Sequence, residues 1–238
     1  MFKQPEPSLK NTSKKYYKIL AILSLLIICN NLKAEDLVKD TSINIIQLPI
    51  NYSKERTALS IEYLKNRHGI TQTTPTINPV MVILHFTDGG TIKSIQNYFN
   101  SPTIEDSRQI NKRVSALNVG SQFLIDRDGK IYQLMPDNYL ARHAIGLNYC
   151  AIGVENIGSD KNPLTQEQVI ANASLVRHLA KKYKIEYLIG HSEYTAFRNT
   201  ALWKETDPKY ITYKSDPGKK FMEGVRALTK DLNLKSNP

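Results

Sequence analysis

The sequence predicts an α/β fold in which a central, mostly buried mixed β-sheet is flanked by helices within a single domain. Three observations predict it. The short apolar runs Val80–Leu84, Ala151–Val154 and Tyr187–Ile189 have the length and composition of buried strands. Segments with helical spacing separate them. One antiparallel pair is signalled by Asp126-Arg127-Asp128-Gly129 set between two further apolar runs. A chain of 238 residues, 41% of them hydrophobic, can bury one such core with short extensions.

Residues 1–34 read as a secretory signal peptide. They carry six lysines against the single acid Glu6, five of the chain's ten net positive charges. Lys14, Lys15 and Lys18 precede the apolar stretch Ile19–Cys29, which is shorter than the roughly 20 residues of a membrane-spanning helix. Leu32-Lys33-Ala34 forms an imperfect cleavage site. Cys29 offers a different outcome, a lipid-anchored protein, although Ile28 is larger than the residue that normally precedes a lipidated cysteine; an uncleaved anchor is the plainest alternative. Export to the periplasm or the medium is expected. After cleavage only Cys150 would remain, so no internal disulfide could form.

Residues 35–78 form an N-terminal lead-in and helix, and residues 79–238 the main domain. The lead-in carries one apolar patch, Ile43–Leu48, closed by Pro49. Ala58, Ile61 and Leu64 give residues 54–68 helical spacing, and residues 91–100 predict a second helix. Thr165-Gln166-Glu167-Gln168 is a capping-box pattern, and Val169, Ala173, Val176 and Ala180 continue it as one apolar face. Residues 192–213 read as a long polar loop holding the lone Trp203, and a last helix is expected over about 219–231. The remaining charge is mildly basic, and no Lys/Arg stripe interleaved with aromatics is present, so nucleic acid is not an expected partner.

Two of the strand-like runs end on histidine, His85 and His191. A carboxylate, Asp216, follows in Lys214-Ser215-Asp216-Pro217-Gly218. Taken alone, each histidine reads as a hydrogen-bonded core residue. Together with Asp216, which the following proline restrains to an extended conformation, they form a ligand set that suits catalytic zinc with one position open to water. Asp207-Pro208 is a weaker candidate because Lys209 follows it. Glu155 sits in an otherwise apolar strand, where a carboxylate is either ion-paired or tuned for proton transfer. Lys214 reads either as a solvated loop lysine or as an oxyanion stabiliser. His143, in Ala141-Arg142-His143-Ala144, is a candidate for a substrate contact or for support of the metal ligands. Ser192 in Gly190-His191-Ser192-Glu193-Tyr194 lacks the final small residue of a nucleophile elbow, and Cys150 reads as a small hydrophobe.

These pieces resemble the zinc-dependent N-acetylmuramoyl-L-alanine amidases of the type 2 amidase family, relatives of the peptidoglycan recognition proteins. The resemblance rests on Ile83-Leu84-His85-Phe86-Thr87, the stretch Phe123–Gln133, Ala141-Arg142-His143-Ala144, Ile152-Gly153-Val154-Glu155, Gly190-His191-Ser192 and Lys214-Ser215-Asp216-Pro217-Gly218, in that order. It implies His85, His191 and Asp216 as zinc ligands, Glu155 and Lys214 as catalytic residues and His143 as a substrate contact. It also implies peptidoglycan or its muropeptide fragments as substrate, cut between N-acetylmuramic acid and L-alanine. Two positions depart from the family's usual pattern: Gln122 stands where histidine is expected, and Ile145 where glycine is usual. A peptidoglycan-binding module without activity, or a zinc peptidase acting on the stem peptide, are the alternatives.

Overall fold

The computed structural model describes residues 43–108 and 113–238; the signal-like segment 1–34, with Cys29, lies outside them. Ser42–Pro238 forms a compact unit. Its strands are β1 (Ile45–Gln47), β2 (Met81–Phe86), β3 (Phe123–Ile125), β4 (Ile131–Gln133), β5 (Ala151–Asn156) and β6 (Tyr187–Gly190). Its fully described α-helices are α1 (Lys54–His68), α2 (Ile92–Asn100), α3 (Gln166–Lys182) and α4 (Lys219–Leu228), with 3₁₀ turns at His191–Phe197 and Lys230–Leu232. The strands form one sheet in the order β1-β4-β3-β5-β2-β6. Every neighbouring pair is parallel except the β3–β4 hairpin, so the sheet is mixed as the sequence predicts.

Local chemistry sets the boundaries. Ser53 caps α1 by accepting from the Arg56 N–H, and Gly69 ends it in the left-handed conformation at φ 65°. Thr165 and Gln168 form the reciprocal capping box that opens α3. Gly129, at φ 82°, turns the hairpin. The lead-in patch becomes β1, an edge strand beside β4, and the ladder runs on through the Leu48 and Ile50 N–H groups to the carbonyls of Gln133 and Leu134. Among the described residues no helix is long and apolar enough to cross a membrane.

The alternation of side chains along β2, β5 and β6 decides where function can sit. Met81, Ile83, Ala151, Tyr187 and Ile189 share one apolar cluster with Leu147, Tyr194 and Phe197. The same face continues at the carboxyl ends of β2 and β5 as His85 and Glu155. The opposite face carries Asn156, whose carboxamide oxygen accepts from Asn172 of α3 at 2.7 Å. Helix α3 therefore covers that side, and the polar ends of the strands open on the other, toward Tyr63 of α1 and Tyr98 of α2. Carboxyl ends of parallel strands are where such sheets place their sites.

Candidate metal centre and its cleft

Strand register brings the first groups together. His85 pairs with Glu155 across β2 and β5. Leu84 pairs with Gly190 across β2 and β6, so His191, the next residue, falls beside His85. Their Nδ1 atoms are 2.9 Å apart. Glu193 holds the turn that begins at His191: its Oε2 accepts from the Gly190 N–H at 2.8 Å, and its Oε1 pairs with Arg226 of α4 at 3.0 Å.

Asp216 arrives from a loop. Its carbonyl accepts from the Ser192 N–H at 2.8 Å, which clips the loop to the turn after β6. Gly190 makes the approach possible, since a Cβ there would lie 2.9 Å from Pro217 Cδ and 3.2 Å from Met222 Cγ. Asp216 Oδ2 thereby reaches 3.1 Å from His191 Nδ1 and 3.3 Å from His85 Nδ1.

These three buried side chains are a group that could hold a metal ion, their ligand atoms all within 4.8 Å of one another. The edges of the triangle, 2.9, 3.1 and 3.3 Å, approach what a tetrahedral site needs. With metal–nitrogen and metal–oxygen bonds of about 2.0–2.1 Å, adjacent ligands lie about 3.3 Å apart. Electrostatics favours the ligating protonation states. Burial, reinforced by neighbouring His85, pushes the His191 imidazole down to about 4, so it is neutral near pH 7. Burial opposes ionisation of Asp216, but the hydrogen bond with His191 and the adjoining His85 ring outweigh it and hold the carboxyl well below the usual range.

The remaining predicted residues line the same cleft, a cavity of about 440 Å³ containing Glu155, His143 and Lys214 together with the metal-capable trio. Burial lifts Glu155 to about 7, against the lowering influence of His85, and its Oε2 is buried without a hydrogen-bond partner. Such a carboxyl can hold and release a proton near neutrality. Lys214 is exposed at the rim. His143 reaches His85 directly, Nδ1 to Nε2 at 3.0 Å. Cys150 is buried, and burial pushes its thiol up to about 12, which leaves it inert as a nucleophile.

Other contributors showed in the sequence only as departures from the family pattern, or not at all. Gln122 is fully buried and joins two backbones: its Oε1 accepts from Gly153 N–H at 2.7 Å and its Nε2 donates to the Tyr139 carbonyl at 2.8 Å. The departure from histidine is therefore matched by a side chain that satisfies both groups. Ile145 is buried and lines the cleft. Arg108, Asp160 and Tyr213 complete its wall, with Tyr213 91% exposed. The segment expected as an open loop after His191 begins as a 3₁₀ turn that buries Tyr194 and Phe197.

The family model for N-acetylmuramoyl-L-alanine amidase matches residues 74–219, more than half of the chain. The chain belongs to that family. This amidase is thus an enzyme that hydrolyses the amide between N-acetylmuramic acid and L-alanine in peptidoglycan or its fragments. Two solved amidases share its fold. N-acetylmuramoyl-L-alanine amidase LysC from Clostridium intestinale URNW is 23% identical, with 82% of this chain and 100% of that one covered at a TM-score of 0.51. The endolysin amidase LysCS from the same organism is 22% identical, with 82% and 99% covered at a TM-score of 0.50. A search of curated proteins finds no match.

Proposed function

We propose that the amidase depends on zinc held by His85, His191 and Asp216, with Glu155 carrying the proton and Lys214 the developing charge. The three ligand atoms supply the main support: two imidazole nitrogens and one carboxylate oxygen set at near-tetrahedral spacing, with the open cleft in front of them. Zinc, when bound, would polarise the scissile carbonyl and acidify water. Glu155, its Oε2 buried without a partner, takes the proton from the attacking water and delivers it to the leaving amide nitrogen. Lys214 Nζ, at the cleft rim, offsets the negative charge that builds on the carbonyl oxygen. His143 lines the cleft and meets the substrate.

The test is digestion of purified peptidoglycan and of soluble muropeptides with and without a chelator, followed by mass analysis. Release of intact stem peptides beginning with L-alanine is expected, stopped by the chelator and restored by added zinc. Fragments cut inside the stem would mark a peptidase, and tight binding without products a recognition module. Cleavage that survives complete removal of metal would overturn the zinc dependence.

We also propose export to the periplasm or medium, supported by the basic, apolar and small-residue order of residues 1–34. The intact mass of the protein recovered from cells should correspond to a chain starting at Glu35. A lipid-modified Cys29, or a full-length chain in the cytoplasm, would correct this.

A further inference from the structure

His143 has both ring nitrogens engaged by the protein. Nε2 lies 3.3 Å from the Ala151 carbonyl oxygen, and Nδ1 lies 3.0 Å from His85 Nε2. A carbonyl only accepts, so the His143 proton belongs on Nε2 and Nδ1 presents a bare lone pair. That lone pair takes a hydrogen bond from His85 Nε2–H. His85 Nδ1 is then left without a proton, facing His191 Nδ1 at 2.9 Å and Asp216 Oδ2 at 3.3 Å. The ligating nitrogen of His85 is thus set by a carbonyl two hydrogen bonds away.

The surroundings hold His143 in this pose. Its ring stands perpendicular to that of His85, 89° between planes and 5.1 Å between centroids. Asn148 Oδ1 accepts from the backbone N–H groups of His143 and Ala144 at 2.9 and 2.7 Å. Beneath the ring lies Gly153, where a Cβ would come within 2.7 Å of His143 Cγ and 2.8 Å of Cδ2. Only a residue without a side chain leaves that space, and Gln122 holds the Gly153 N–H in place at 2.7 Å.

We propose that His143 is a positioning residue for metal binding: seated on Gly153 and anchored to the Ala151 carbonyl, it fixes the ring plane and Nε2–H tautomer of His85. Metal-ligating histidines commonly donate their second N–H to such a partner, and its loss weakens metal binding. The substrate then meets the face of the His143 ring, its nitrogens being committed. In its metal-binding consequence the proposal rests on the zinc reading above; in its tautomer consequence it does not.

Two measurements test it separately. In metal-free protein labelled with ¹⁵N in its imidazoles, long-range ¹H–¹⁵N spectra should show His85 protonated at Nε2 and bare at Nδ1. His143→Leu should move that proton toward Nδ1. A His85 protonated at Nδ1 in the unsubstituted protein overturns the proposal, with no variant required. In competition with a chromophoric chelator, His143→Leu and Gly153→Ala should bind zinc about 10–100-fold more weakly. His143→Asn, whose Oδ1 takes the place of the Nδ1 lone pair, should stay close to the parent. Parent-like zinc affinity in folded His143→Leu, its melting temperature recorded without metal, also overturns it. If the parent binds no zinc while His85 shows the expected tautomer, the zinc reading fails and the positioning of His85 stands.

Discussion

His85 and Asp216 end 3.3 Å apart, yet they are placed by different means. His85 and its neighbour Glu155 belong to β2 and β5, which run in register from Met81↔Ala151 to Phe86↔Asn156. The ladder is reinforced at the site itself, where Asn156 Nδ2 donates to the His85 carbonyl at 3.0 Å. Asp216 and Lys214 come from the long segment after His191, which pairs with no strand. Discrete anchors place it. Tyr194 OH accepts from the Thr212 N–H at 3.0 Å, and Trp203 stacks on Tyr194 with centroids 5.9 Å apart. At the C-terminal end of α1, His68 Nδ1 meets the Lys204 carbonyl at 2.6 Å, Thr206 bonds the Asn66 carbonyl at 2.8 Å and Arg67 pairs with Glu205. A residue in a registered ladder inherits the stability of the sheet. A residue in an anchored loop inherits the stability of its anchors, so the two halves of the site should fail under different perturbations.

The sharpest separation comes from Glu155→Gln. The side chain is nearly isosteric and register holds it in place, so the loss should be purely chemical. Turnover should fall by about 10²–10⁴-fold, the span typical of a positioned proton carrier. Zinc affinity and the melting temperature without metal should not fall, since the variant removes no ligand and replaces a partnerless buried carboxyl by an uncharged amide. A variant that loses zinc binding or stability in step with activity would show that Glu155 supports the strand-borne half structurally.

The same division explains what the sequence made legible. Apolar runs that end on His85 and His191, a carboxylate inside β5, the Asp-Gly hairpin and the Thr165 capping box are local patterns, each imposed by the pleat or by the helical turn. They located the strand-borne groups and the fold class. Parallel pairing leaves no local signature, which is why Ile43–Leu48 read as a lead-in and not as the edge strand beside β4. His143 could be named from the sequence as a candidate support for the metal ligands, but its seat against His85 was invisible, because Ala141-Arg142-His143-Ala144 has no periodicity and the permissive residue, Gly153, lies on another element. Asp216 was found from its Asp-Pro-Gly context, but the clip through Ser192 and the clearance at Gly190 emerge only in three dimensions.

The loop's anchors should fail in acid. His68 is buried against Tyr63 and Tyr149, and its Nε2 has no partner. Burial, aided by Arg67 and Lys204 and opposed by the hydrogen bond with the Lys204 carbonyl, pushes it down from 6.5 to about 4. The unfolded chain therefore binds a proton that the folded chain refuses between about pH 6.5 and 4. Stability from this group is complete above that window and is lost as pH falls through it, by about 3 kcal/mol. Thermal melts of the metal-free protein at pH 7.5 and 4.5 should show the loss, and His68→Asn should reduce it, leaving the share that buried His191 contributes in the same window. An unchanged slope in that variant would remove His68 from the anchor.

The smallest effect should come from Gly190→Ala, which touches no ligand. The added Cβ would stand 2.9 Å from Pro217 Cδ and 3.2 Å from Met222 Cγ, both closer than ordinary contact. Met222 belongs to α4, which Arg226 ties to the Leu188 carbonyl at 3.1 Å and to Glu193. The helix therefore yields less readily than the loop, and Pro217 should move, drawing Asp216 with it. Misplacement by about 1 Å costs about 10²-fold in rate, and an overlap of a few tenths of an ångström should cost about tenfold. The loss should appear in zinc affinity as well as turnover, while the His85 tautomer stays as in the parent, because β2, β5 and His143 are untouched. If His85 changed together with Asp216, the two halves of the site would be mechanically one, and placement by ladder and by anchor would no longer be separable.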